Sequence, residues 1–128
     1  MFKKLFLALA MVLLTSSMAI AAMEVTLQWD PNSESDLAGY KVYQGSTAGG
    51  PYIMIKNIAL TTPGFDPANP EYTVVNLVRG TRYFWVVTAY DSEVPSLESG
   101  YSNEVNTNGG PQSPTGTRIK IVVEVQLP

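Results

Sequence analysis

The sequence predicts an all-β protein: an antiparallel β-sandwich with an extra C-terminal strand after a linker. Three observations predict this class. Apolar and polar residues alternate with a period of two in the segments after residue 22, turn-forming residues separate those segments, and none of them shows the period of a helix. Several short strands spaced in this way are typical of two packed antiparallel sheets.

The strands are assigned from this alternation in chain order. They are predicted at residues 25–29, 39–44, 52–58, 71–77, 82–90 and 102–107. Pro31 ends the first strand, because proline cannot donate a hydrogen bond to a sheet. Three prolines between residues 61 and 70 predict a surface loop. We expect Trp29 and Trp85 to fill the space between two sheets about 10 Å apart.

Composition argues against catalysis and against nucleic-acid binding. The 128 residues include no Cys and no His, which removes thiolate metal sites, disulfides and the usual general base near neutral pH. No nucleophile elbow or glycine-rich phosphate loop is present. The 8 basic residues are outnumbered by 11 acidic ones and do not cluster. We therefore expect a protein that is not an enzyme, with no catalytic residue, no cofactor, no metal and no nucleic-acid partner.

Residues 1–22 have the pattern of an export signal. Lys3 and Lys4 precede an apolar run at residues 5–14 that is short for a bilayer span, and Ala19-Ile20-Ala21 is a small-residue cleavage site. We expect cleavage after Ala21, with Ala22 as the second choice, and no membrane span thereafter. The processed protein would be secreted, periplasmic or at the cell surface. Without Lys3 and Lys4 its net charge would be −5.

Four short segments resemble the fibronectin type III family and follow in that family's order. They are VTLQWDP around Trp29, GYKVY at residues 39–43, LVRGTRY at residues 77–83, and YSNEV at residues 101–105. The resemblance covers about residues 24–107 and implies an immunoglobulin-like sandwich domain, here bounded at 23–107. Its members mostly bind proteins or glycans or act as spacers. It also implies a tyrosine corner at Tyr83, whose hydroxyl needs a backbone partner near Leu77.

The predicted domain lacks one strand at its start and has one too many at its end. Signal cleavage leaves no room for the family's first strand, so one sheet has an open edge. After a linker at residues 108–116, the tail 117–128 alternates in the manner of an amphipathic strand, with candidate strand-completing residues Ile119, Ile121, Val123 and Val125. The tail could complete its own sheet, because nine linker residues span at most about 30 Å. It could instead join a second molecule; an extra strand beside residues 102–107 and an unpaired tail are the remaining alternatives.

An aromatic and aliphatic sheet face is the first candidate binding surface. Tyr43, Phe84, Val86 and Tyr90 are expected to face away from the core on adjacent strands, where they could hold a glycan ring or a protein partner. Cross-strand pairing that only stabilises the sheet explains the same residues. Both interpretations remain open at the level of sequence.

The loops at residues 32–37 and 91–101 are the second candidate surface. They are expected to lie at one pole of the sandwich, with Asp36, Glu93, Leu97 and Glu98 as candidate recognition residues. No Arg-Gly-Asp tripeptide supports integrin-type adhesion.

A calcium loop is a weak alternative for the first of these two loops. Its oxygen-bearing residues alternate in the manner of calcium ligands: Asp30, Asn32, Glu34 and Asp36. Because the glycine and the glutamate required at later positions are missing, turn-forming and capping roles explain these residues as well.

Together these observations predict an exported, non-catalytic binding or structural module. It would recognise a protein partner, or assemble with itself through its sheet edge and C-terminal strand. The alternative is a carbohydrate-binding accessory module that uses the aromatic sheet face.

Overall fold

A computed structural model describes residues 23–107 and the backbone of residues 117–120. The elements are seven strands: β1 (Met23–Gln28), β2 (Leu37–Gly45), β3 (Tyr52–Ala59), β4 (Glu71–Leu77), β5 (Phe84–Asp91), β6 (Val105–Asn106) and β7 (Thr117–Lys120). No helix that could cross a membrane occurs in this part of the chain. The predicted signal at 1–22, the linker at 108–116 and tail residues 121–128 lie outside the described residues.

The strands form two sheets, which confirms the all-β sandwich prediction. One sheet has the order β4-β1-β7 and the other β3-β2-β5-β6. Neighbours pair antiparallel except for β7, which runs parallel to β1. The predicted bounds of the first five strands hold to within two residues at either end.

The core lies between the inner faces of the two sheets. It contains both tryptophans, as predicted, together with the other buried residues Met23, Val25, Leu27, Tyr40, Val42, Ile58, Val74, Leu77, Val87 and Ala89. Trp29 packs its ring edge-on against Tyr40, with centroids 5.3 Å apart. Alternation within each strand places these side chains on the inner face, so that burial of their apolar surface stabilises the fold.

Tyr83 forms the predicted corner at the entrance to β5. Its hydroxyl accepts a hydrogen bond from the N–H of Val78 at 2.9 Å, one residue beyond the predicted partner region at Leu77. Its ring stacks on Trp85 with centroids 5.8 Å apart. Tyr83 therefore connects the turn between β4 and β5 to the core.

The open edge of β1 is occupied by the tail of the same chain. β7 pairs with β1 in register from Val25 with Thr117 to Gln28 with Lys120. It lies in the three-stranded sheet, away from β6. Of the predicted strand-completing residues, Ile119 lies in β7, whereas Ile121, Val123 and Val125 are outside the described residues.

Candidate binding site

The predicted aromatic face exists, but two of its four residues are not exposed. Phe84 is 4% exposed and Val86 is 2% exposed, so the expectation that they are available to a ligand is wrong. The guanidinium of Arg82 lies over the Phe84 ring, 5.3 Å from its centroid. Val86 is opposite Tyr43 in register. A long side chain therefore covers Phe84, and a large one lies at the position opposite Val86 on the neighbouring strand.

The segment that follows β5 explains how this face is covered. The amides of Ser99 and Ser102 donate to the carbonyls of Ala89 and Val87, at 2.8 and 2.9 Å. In return the serine hydroxyls accept hydrogen bonds from the amides of Ala89 at 2.9 Å and Val87 at 2.8 Å. Because hydroxyl groups replace backbone carbonyls in this exchange, the segment runs beside β5 without forming a regular strand, and it can place Tyr101 on the outer face.

Three tyrosines, Tyr43, Tyr52 and Tyr101, form what we call the tyrosine cluster. Tyr101 packs nearly perpendicular to both partners, with centroids 5.4 Å from Tyr43 and 5.2 Å from Tyr52. Tyr101 is 57% exposed, so this ring is presented to solvent. β2, β3 and the segment after β5 each supply one ring. The cluster therefore depends on three parts of the chain.

Glu98 lies beside the cluster, and each of its carboxylate oxygens has a partner. Its carboxylate accepts hydrogen bonds from the hydroxyls of Tyr43 and Thr88, the latter at 2.7 Å, and forms an ion pair with Lys41 at 2.9 Å. Burial alone would raise the pKa of Glu98, but these three donors outweigh it and lower the pKa below its ordinary value. Burial and then the bond to Glu98 raise the pKa of Tyr43 to about 12.

Glu104 lies on the opposite side of the cluster. Its Oε2 accepts hydrogen bonds from the Tyr52 hydroxyl and from the N–H of Gly49 at 2.8 Å. Gly49 has a φ of +80°, a conformation that favours glycine, and this orients the turn between β2 and β3 toward the carboxylate. The bond to Glu104 is the main reason that the pKa of Tyr52 rises to about 12.

A shallow hollow of about 350 Å³ borders the cluster. It is lined by Tyr43, Thr88, Glu98, Ser99, Gly100 and Tyr101. Aromatic surface beside carboxylate and hydroxyl oxygens can stack on a ligand and accept hydrogen bonds from it. The groups that line the hollow can therefore bind a ligand and orient it.

The two predicted pole loops lie together, with an unexpected acidic cluster between them. The amide of Ser92 donates to the carbonyl of Asp36 at 2.9 Å, and the carboxylates of Asp36, Asp91 and Glu93 lie within 4.8 Å of one another. Asp91 is buried, and its Oδ1 accepts hydrogen bonds from two amides of its own loop, so it shapes that loop. Of the four residues considered as calcium ligands, Asp30, Asn32, Glu34 and Asp36, only Asp36 belongs to this cluster.

The remaining predicted pole residues divide between the loop and the sheet. Leu97 is exposed on the loop. Glu98 instead lies on the outer sheet face, where it contacts Tyr43. The prediction placed Glu98 in the loop because residues 91–101 are rich in turn-forming residues.

Sequence reasoning missed Tyr52, Tyr101 and Glu104 as site residues. Tyr101 was placed at the end of the loop 91–101, and both Tyr101 and Glu104 belong to the YSNEV segment, but neither was given a role in binding. Tyr52 was assigned to its strand without a role. The available signal was the coincidence of tyrosines with glutamates in segments that are neighbours in the sheet, but it becomes visible only once the strand order is known.

A protein described as Fn3-like has a known structure similar to this chain. It comes from Clostridium thermocellum, is 18% identical, and aligns over 84% of this chain and 99% of its own with a TM-score of 0.43. No protein-family model matches the sequence, and neither does any curated protein. Membership of the fibronectin type III family therefore stays a prediction from the sequence motifs.

Proposed function

We propose that this chain is an exported, non-catalytic binding module that recognises a protein partner through the tyrosine cluster. The observation that carries the proposal is the exposed ring of Tyr101, which packs against the rings of Tyr43 and Tyr52. Tyrosines held in this way are well suited to anchoring a protein interface, because they supply large contact area and lose little conformational entropy on binding.

Composition and the pKa of Glu98 support a non-catalytic role. The sequence contains neither His nor Cys. The carboxylate of Glu98 has a lowered pKa, whereas a general acid needs a raised one. Export is supported by the pattern of residues 1–22, which includes Lys3 and Lys4 and the Ala19-Ile20-Ala21 cleavage site.

Carbohydrate binding is the second candidate function. The hollow beside Tyr43 and Tyr101 combines aromatic surface with the oxygens of Thr88 and Glu98, and sugars bind by stacking on rings and by hydroxyl hydrogen bonds. Displacement of a bound partner by soluble oligosaccharides would favour this candidate over a protein partner.

The proposal is tested by capture of partners on the immobilised, signal-cleaved chain. We expect Tyr101→Ala to reduce capture of a specific protein from envelope and culture fractions by about tenfold, because a central anchor ring is lost. Quantitative mass spectrometry of the captured proteins measures the change.

Val75→Ala is the matched control, since Val75 is an exposed apolar side chain, 52% accessible, on β4 in the other sheet. The control should capture the partner as the unmodified chain does. Equal capture by all three proteins would refute the tyrosine cluster as the binding site.

A further inference from the structure

The two glutamates that accept hydrogen bonds from the tyrosine cluster, Glu98 and Glu104, differ in whether a cation is paired with them. Glu98 has an ion-pair partner in Lys41, with the charged atoms 2.9 Å apart. Glu104 accepts hydrogen bonds from Tyr52 and Gly49, and no cation among the described residues pairs with it. Both of the hydrogen bonds that Glu104 accepts from residues 23–107 reach Oε2, so this part of the chain leaves Oε1 for solvent or a ligand. Within the described part of the chain, Glu104 therefore brings a negative charge without a paired cation to the edge of the cluster.

Aromatic rings next to this charge add to its attraction for a cation. The Tyr52 hydroxyl bonds to Glu104, and the ring of Tyr52 lies 5.2 Å from that of the exposed Tyr101. The faces of aromatic rings carry negative potential and attract cations. The net charge of the signal-cleaved chain would be −5, so the long-range field of the whole molecule would also attract a positively charged partner.

We propose that Glu104, Tyr52 and Tyr101 receive the guanidinium group of an arginine side chain on the partner protein. Guanidinium is planar and stacks on a tyrosine ring while its N–H groups donate to a carboxylate. Lysine offers a compact, strongly hydrated charge that stacks poorly. This inference rests on the proposed function and names the group on the partner that the site recognises.

The test is titration of the isotope-labelled, signal-cleaved chain with a short arginine peptide, acetyl-Gly-Arg-Gly-amide, followed by NMR. The matched probe replaces arginine by citrulline, which has the same shape and no charge. We expect saturable shifts at the amides of Gly49, Tyr52 and Glu104 with the arginine peptide alone. The shifts should weaken as sodium chloride is raised, because salt screens the half-buried carboxylate of Glu104.

Two variants locate the interaction. Glu104→Gln should weaken binding of the arginine peptide by about tenfold, because a charge-assisted hydrogen bond is lost. Glu24→Gln removes the same charge from an exposed position on β1, in the other sheet, and should leave the affinity unchanged. An equal loss in both variants would show attraction to net charge only and would overturn the inference.

The outcomes also separate this inference from the proposed function. Equal binding of the citrulline peptide, or no binding of either peptide, overturns arginine recognition. If Tyr101→Ala still loses the captured partner in that case, the proposed function stands with a different ligand group. If Tyr101→Ala captures the partner normally, the proposed function itself fails.

Discussion

At the turn between β4 and β5, Tyr83 connects the N–H of Val78 to the core through its ring on Trp85. We expect Tyr83→Phe to lower the free energy of unfolding by about 1 kcal/mol, because the variant keeps the stacked ring and loses only the acceptor for that N–H. Urea unfolding measures the change. Tyr72→Phe is the control, since the Tyr72 hydroxyl makes no hydrogen bond within the described part of the chain. A loss no larger than that of the control would contradict the role of the corner.

Two tyrosines of the cluster should ionise at a higher pH than an ordinary tyrosine, for different reasons. The pKa values of Tyr43 and Tyr52 are both raised from 10.0 to about 12, the first mainly by burial and the second mainly by the hydrogen bond to Glu104. We therefore expect Glu104→Gln to bring the pKa of Tyr52 back toward its ordinary value. Glu98→Gln should leave the pKa of Tyr43 raised, because burial persists. Ring-carbon NMR shifts across a pH titration resolve the two residues.

The same shifts predict how stability depends on pH. A tyrosine whose pKa is raised in the folded state holds its proton where the unfolded chain has released it. The resulting stabilisation is complete below pH 10, the unfolded value, and is lost as the pH rises toward about 12. Loss of stability already complete below pH 10 would contradict this origin.

At the scale of elements, β7 covers the edge of β1 that would otherwise be unpaired. It pairs parallel with β1 on the side opposite β4. Deletion of residues 117–128 should lower the free energy of unfolding and raise the sedimentation coefficient. The free energy of unfolding falls because the hydrogen bonds between β1 and β7 are lost. The sedimentation coefficient rises because the open edge of β1 pairs with other chains. A tail of equal length made of glycine and serine separates the lost strand from the lost chain length. Unchanged stability and sedimentation would refute strand completion.

β6 shows where alternation fails to predict an element. A strand was predicted at residues 102–107, but regular pairing covers only Val105–Asn106. The hydroxyls of Ser99 and Ser102 take up the amides of β5 before that point. Serine is polar in either structure, so its pattern does not distinguish a strand from this side-chain substitution.

At the scale of the whole molecule, two sheets close over one core and leave different surfaces for contact. The outer face of the four-stranded sheet is largely covered near Phe84 and Val86, and the tyrosine cluster stands at its margin. On β3, at the edge of the same sheet, Ile53 is 76% exposed. Under the proposed function, a partner bound at the cluster would approach beside this strand edge.

The sequence by itself determined the all-β class, most strand bounds and the core around Trp29 and Trp85. These follow from local alternation, which assigns each side chain to a face within a few residues. Tertiary structure alone decided which outer residues are exposed, that β7 lies parallel to β1, and that Glu104 meets Tyr52. Glu104 and Tyr52 are 52 residues apart, and their contact depends on strand order, register and turn geometry, which no local pattern contains.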